Sequence, residues 1–118
     1  MKCSVVESGS ILGEKWVIPI IEEIALGNFY GFNNFISKAR NITPRVLSMK
    51  LKELEKAGIV QKRSHMKNNH QITEYVLTKK GIEFNQIITE IKKWNIKWNS
   101  TPESCFSVSC MECGRYRK

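Results

Sequence analysis

The sequence predicts a mainly α fold with a small β-hairpin (α+β), and three observations support this class. Apolar residues recur at helical spacing in several separate segments, which indicates amphipathic helices. A stretch rich in β-branched residues with a polar break, "IVQKRSHMKNNHQITEYVLT", indicates two short strands. The chain has 118 residues and is 42% hydrophobic, which suffices for one modest core. We therefore expect one soluble domain with a single function.

The first helix is predicted within "ILGEKWVIPIIEEIALGN", residues 11–28. Gly27 followed by Asn28 is a stop signal. Pro19 lies inside the pattern, and proline removes a backbone donor and clashes with the preceding turn. The regular helix therefore begins close before Pro19 or bends there, and the sequence leaves this boundary open. The apolar positions at helical spacing are Val17, Ile20, Ile21, Ile24 and Ala25.

Two further helices are predicted after this turn. The shorter one lies in "FNNFISKARN" and ends near Asn41, with an apolar stripe formed by Phe32, Phe35, Ile36 and Ala39. The next spans residues 44–57, because Thr43 is a good N-cap, Pro44 suits the first helical position and Gly58 favours a stop. Its inward stripe consists of Val46, Leu47, Leu51 and Leu54. The opposite face is basic and consists of Arg45, Ser48, Met49, Lys52 and Lys56.

A hairpin and a long final helix complete the prediction. The segments "IVQKRSHM" and "QITEYVLT" are the strands, with "KNNH" as the polar turn between them. Thr78 caps the last helix, and Gly81 is tolerated in its first turn. This helix offers more apolar surface than one short contact requires, so another surface is expected to pack on it. The apolar residues are Ile82, Ile87, Ile88, Ile91, Trp94 and Trp98.

The order of helices and hairpin predicts a winged helix-turn-helix. In this arrangement the second helix of the helix-turn-helix enters a DNA major groove, and the hairpin, or wing, reaches the adjacent backbone or minor groove. The charge agrees, since residues 31–80 hold eleven Lys or Arg against three Glu. Charge alone is equally consistent with a solvated basic face, so the pattern of elements decides the interpretation.

Four pieces of the chain resemble, in order and spacing, the HxlR-type winged helix-turn-helix transcriptional regulators of bacteria and archaea. They are "GEKWVIPII" (13–21), "ITPRVLSMKLKELEKAGIVQKR" (42–63), "TEYVLTKKG" (73–81) and the closing Trp94. The resemblance spans about residues 3 to 94. It implies a sequence-specific regulator, repressor or activator, that binds an inverted-repeat operator in double-stranded DNA as a homodimer.

The resemblance also implies roles for particular residues. The DNA contacts from the recognition helix fall on Thr43, Pro44, Arg45, Ser48, Met49 and Lys52, and those from the wing fall on Arg63, Lys67, Asn68, Asn69 and His70. The dimer interface involves the N-terminal segment and the last helix, and on that helix we expect Ile87, Ile91, Trp94 and Trp98 to contribute. The winged-helix domain with its dimerisation helix is expected to span residues 1–99, with residues 100–118 as a cysteine-containing tail.

The cysteines leave three interpretations open. Cys3 occurs where some relatives carry a cysteine that senses oxidants or electrophiles, whereas the tail with Cys105, Cys110 and Cys113 lies beyond the usual end of the family. Cys110 and Cys113 form a CxxC, which can bind a metal or close a redox disulfide, and Cys3 could complete a set of four thiolates for zinc. Free thiols are the third interpretation, because a cytoplasm keeps thiols reduced.

Other functional classes find little support in the composition. The chain has no Asp and only two His, His65 and His70, so the common acid, base and nucleophile combinations have few parts and we expect no enzyme. It has no apolar run long enough to span a membrane and no secretory signal, so a cytoplasmic location is expected. The alternatives that remain are a winged helix that docks proteins without binding an operator, and a thiol-redox protein that uses the CxxC.

Overall fold

The computed structural model describes residues 3–27, 32–39 and 41–99. Within them the elements are α1 (Ser4–Gly13), α2 (Val17–Ala25), α3 (Phe32–Ala39), α4 (Pro44–Lys56), β1 (Val60–Lys67), β2 (His70–Leu77) and α5 (Lys79–Trp98). The two strands form one antiparallel sheet. This order confirms the predicted mainly α fold with a hairpin, and every predicted helix and strand is present.

Helix α1 was not predicted from the sequence. None of its residues is fully buried, and only Ile11 and Leu12 near its end pack against the core, so it lacks the buried stripe that marks α2, α3 and α4. Its Gly and Ser residues are also weak helix formers. The prediction missed it because burial against the described part of the chain contributes so little to this helix.

Helix α2 resolves the boundary that Pro19 left open. The helix begins at Val17, so Pro19 lies in the first turn, where a backbone N–H would have no partner within the helix. Trp16 precedes the helix with a φ of 77°, a left-handed conformation that is uncommon for a large side chain. Its indole is buried in the core, which offsets the backbone strain.

The core lies between α2, α3 and α4 and is closed by the start of β1 and one residue of α5. Its largest fully buried apolar side chains are those of Ile20, Ile21, Phe35, Leu47, Leu51, Leu54 and Ile88. The side chain of Phe32, predicted to join this stripe, lies outside the described residues. Because Leu47, Leu51 and Leu54 all point inward, the orientation of α4 about its own axis is fixed, and the opposite face points to solvent.

The ends of α4 follow the predicted signals. Thr43 Oγ1 accepts a hydrogen bond from the Val46 N–H at 3.2 Å. Gly58 has a φ of 78°, the left-handed conformation that glycine adopts without strain. The regular helix ends at Lys56, with Ala57 as its C-cap, one residue before the predicted boundary.

The junction between the hairpin and α5 depends on Thr78 and Gly81. The Gly81 N–H donates to Thr78 Oγ1 at 3.0 Å, which confirms the predicted cap. Gly81 is buried, and a Cβ placed there would lie 2.0 Å from the carbonyl oxygen of Ile59. Gly81 is therefore required by this close approach of two backbone segments, not only tolerated as the sequence suggested.

Candidate nucleic-acid interface

The solvent-facing side of α4 presents three cations around one apolar side chain. Arg45, Met49, Lys52 and Lys56 are all exposed and lie on the face opposite the buried leucines. Within the described residues no ion pair neutralises Arg45, Lys52 or Lys56. This face can therefore present its full positive charge to a polyanion.

The start of α4 adds a partial positive charge to this face. Thr43 and Pro44 are exposed at the helix N-terminus, while Ser48 is half-buried at the edge of the exposed face. Backbone N–H groups at a helix N-terminus favour anions such as phosphate. The N-terminal end of α4 is thus chemically suited to approach a phosphate group.

Lys50 of α4 adds little charge to this face, because it pairs with two carboxylates. Lys50 Nζ lies 2.7 Å from Glu14 Oε2 and 3.6 Å from Glu53 Oε2. The hydrogen bond from Lys50 holds the pKa of Glu14 below its usual value, and the same bond raises the pKa of Lys50. This pair joins the segment after α1 to the exposed helix. Sequence reasoning missed it because 36 positions separate the two residues.

The tip of the wing is polar and basic. Asn68 and Asn69 have φ values of 53° and 64°, which is the pattern of a two-residue type I′ turn. Lys67 and His70 face each other across this turn and are both exposed. All four residues predicted at the tip therefore lie together at the end of the hairpin.

Arg63 differs from the other predicted wing residues because it has an acidic neighbour. It pairs in register with Glu74 on the opposite strand. The Glu74 carboxylate also lies 3.3 Å from His65 Nδ1 on the same face of the hairpin. A carboxylate in the middle of the wing offsets part of the Arg63 charge. At the tip, Lys67 pairs in register with His70 and not with a carboxylate.

Helix α5 presents an apolar stripe that the described residues leave uncovered. Its inner side holds the buried Ile88 and a Lys92 Nζ that lies 2.7 Å from Glu22 Oε2 of α2. The outer side carries the four predicted interface residues, spaced so that they share one face. Trp94 is 58% and Trp98 is 64% exposed, and the other members of this α5 stripe are Ile87 and Ile91.

Helix α1 adds two exposed apolar side chains, Val5 and Val6. The sequence alone does not mark Val5 and Val6 as part of a surface, because the helix that carries them was not predicted. Exposed apolar surface of this extent on α1 and α5 is typical of an interaction site.

Cys3 is the N-cap residue of α1 and is exposed. The backbone N–H groups of Val6 and, to a smaller extent, Val5 lie close to its thiol and lower the pKa of that thiol. The described part of the chain holds no group of three or more potential metal ligands. Cys105, Cys110 and Cys113 lie outside the described residues, so the predicted zinc or disulfide site stays a prediction.

In the described ranges, no helix has the length and apolar character that crossing a membrane requires.

Comparison with known proteins agrees with this geometry. The family described as HxlR-like helix-turn-helix matches residues 11–103. YvaP of Bacillus subtilis (strain 168), named as an HTH-type transcriptional regulator, is 38% identical over 88 residues, covering 75% of this chain and 80% of YvaP.

Two solved structures are also similar. Diamide-treated YodB from B. subtilis has a TM-score of 0.65 at 27% identity and covers 83% of this chain and 96% of its own. The reduced form of the redox regulator HypR has a TM-score of 0.68 at 27% identity and covers 80% of this chain and 92% of its own. These relatives are named as regulators of transcription or as redox regulators, and no enzyme family is indicated. The chain belongs to the HxlR-like helix-turn-helix family and is a transcriptional regulator of the helix-turn-helix type.

Proposed function

We propose that the protein binds an inverted-repeat operator in double-stranded DNA as a homodimer and thereby regulates transcription. The observation that carries this proposal is the exposed face of α4, where Arg45, Lys52 and Lys56 form no ion pair with any other described residue. The N-terminus of α4 lies at one end of the same face. Such a face is suited to a major groove, where a basic helix can contact phosphates and base edges together.

The wing supplies the second contact in this proposal. Lys67, Asn68, Asn69 and His70 form an exposed tip with one lysine and several hydrogen-bonding groups. We assign the tip to the backbone or minor groove beside the site of α4. Arg63 contributes less charge than Lys67, because Glu74 lies across from it.

The apolar stripe of α5 supplies the dimer contact. A second copy of the chain would cover Ile87, Ile91, Trp94 and Trp98 across a two-fold axis, and Val5 and Val6 of α1 would extend the patch. A two-fold dimer presents two α4 helices, and such pairs bind half-sites about one turn of DNA apart.

Selection of bound sequences from random duplex DNA by the purified full-length protein tests operator binding. We expect enrichment of an inverted repeat, and affinity for it should fall roughly a thousandfold between about 50 and 200 mM salt if about six phosphates are neutralised. Binding without sequence preference, or binding that salt does not weaken, would favour a protein-docking role instead.

A response to oxidants through Cys3 is a second element of the proposal. The support is the lowered pKa of Cys3 at the start of α1, since the thiolate is the reactive form. HypR is named as a redox regulator, and YodB was crystallised after diamide treatment. Diamide takes two electrons and two protons from a pair of thiols and leaves one disulfide, so Cys3 would require a second cysteine as its partner.

The cysteine hypotheses separate in one set of measurements. About one zinc per chain in protein purified without added metal or chelator would favour metal binding at Cys3 and the tail cysteines. If metal is absent, diamide should change operator affinity in the native protein but not in Cys3→Ser. A response that persists in Cys3→Ser and disappears in Cys110→Ser would assign the redox chemistry to the tail. No response in any variant would leave the cysteines as free thiols.

A further inference from the structure

Met49 lies among the cations of the exposed face of α4. Its side chain is 49% exposed, one turn after Arg45 and one turn before Lys52. The buried leucines fix the rotation of α4, so Met49 cannot turn into the core without unpacking the helix. Met49 is therefore placed to contact whatever molecule binds to this basic surface.

The chemistry of a methionine restricts what it can recognise in DNA. Its thioether has no hydrogen-bond donor and is a weak acceptor, so it cannot replace the hydrogen bonds that base edges make with water. In the major groove the C5-methyl group of thymine is the apolar feature that distinguishes one base from another. A flexible, polarisable side chain adapts well to such a group.

We propose that Met49 is a specificity-determining residue that contacts a thymine methyl group in each operator half-site. This inference rests on the proposed DNA-binding function and adds the chemical identity of one base. From Arg45 to Met49, α4 advances by four residues, which is about 6 Å along its axis. This distance corresponds to about two base-pair steps of about 3.4 Å in DNA. The thymine therefore lies within about two base pairs of the nucleotide that Arg45 contacts.

Replacement of single thymines by deoxyuridine tests this contact, because it removes the methyl group and leaves the base pair intact. The probe is the duplex selected by the full-length protein, with each thymine replaced in turn. The native protein should lose affinity by about fourfold at one thymine in each half-site, the factor that corresponds to one methyl group. Met49→Ala should bind the thymine duplex more weakly and should bind the deoxyuridine duplex no worse than the thymine duplex.

Two variants serve as controls. Met49→Leu keeps an apolar side chain and should retain part of the thymine preference. Met66→Ala removes a different exposed methionine, on β1, and should keep the deoxyuridine profile of the native protein. All variants are compared by thermal unfolding, and since both side chains are exposed their folding should be unaffected.

The outcomes distinguish this inference from the proposed function. If an operator is selected but deoxyuridine has no effect anywhere, or has the same effect in Met49→Ala as in the native protein, Met49 does not read a thymine methyl group. If no sequence is enriched at all, the proposed operator binding is wrong and the inference falls with it.

Discussion

Individual residues of the interface differ in what they can contribute. Arg45 has a planar guanidinium that can pair with two acceptors on one base, whereas Lys67 at the wing tip offers a single compact charge suited to phosphate. The two residues should therefore give different signatures when they are removed.

Arg45→Ala should reduce discrimination between the selected operator and random DNA, by about 1 to 3 kcal/mol if it contacts a base. Lys67→Ala should weaken operator and random DNA alike and lower the slope of log affinity against log salt by about 1. Titrations of both variants on both duplexes at several salt concentrations measure these effects. Equal loss of discrimination in the two variants would contradict the separate roles.

The Glu14–Lys50 pair should make stability depend on pH. Because Lys50 lowers the pKa of Glu14, the charge of Glu14 stabilises the fold fully above the ordinary carboxyl pKa. This stabilisation is lost as the pH falls through the pKa that Glu14 has in the folded protein. The pKa of Lys50 is raised, so its contribution is present below its ordinary value and is lost as pH rises through the folded value. The stabilisation by this pair is therefore complete between roughly pH 4.3 and 10.4 and decreases outside that range.

A double-mutant cycle with Glu14→Gln and Lys50→Gln checks this pair. Glu14 is 41% exposed, so we expect a coupling of only a few tenths to about 1 kcal/mol at neutral pH. The coupling free energy between Glu14 and Lys50 should decrease when urea unfolding is repeated at a pH below the lowered pKa of Glu14. An equal coupling in acid would show that the charge of Glu14 is not its source.

At the level of elements, the packing of the start of α5 against the segment between α4 and β1 depends on Gly81. Gly81→Ala should destabilise the fold by an amount on the order of 1 to 3 kcal/mol, because its Cβ would meet the Ile59 carbonyl and force the backbone to move. The matched control is Gly13→Ala in α1, where a Cβ meets nothing within 4 Å. That variant should be neutral or more stable, since alanine is the better helix former. Urea unfolding compares them, and similar stabilities would contradict the close approach.

Elements with strong local signals could be predicted from the sequence, and the others could not. Helix α4 was recognised from its N-cap, its proline, its inward leucines and the glycine that follows it, all of which lie within 16 consecutive residues, Thr43 to Gly58. Helix α1 was not predicted because none of its residues is fully buried and only Ile11 and Leu12, near its end, pack against the core. The steric role of Gly81 and the Glu14–Lys50 pair depend on residues distant in the chain, and no local pattern reports such contacts.

At the level of the whole molecule, the proposed contact between two α5 helices would set the relation between the two recognition helices. Ile91→Glu or Trp94→Glu should give monomers, because each places a charge in the centre of the apolar stripe. Both variants should also bind the operator more weakly. Gln86→Glu adds the same charge on another side of α5 and should stay dimeric. Light scattering measures the mass, and a native protein that is monomeric would contradict the proposed interface.

The most direct test of operator binding by a homodimer is to lengthen the selected operator between its two half-sites. Two recognition helices held by one two-fold axis require half-sites on the same face of DNA, about 10 base pairs apart centre to centre or a multiple of that. Inserting about five base pairs, half a helical turn, should therefore reduce the affinity of the native protein to that for a single half-site. Affinity unchanged by the insertion would contradict operator binding by a homodimer.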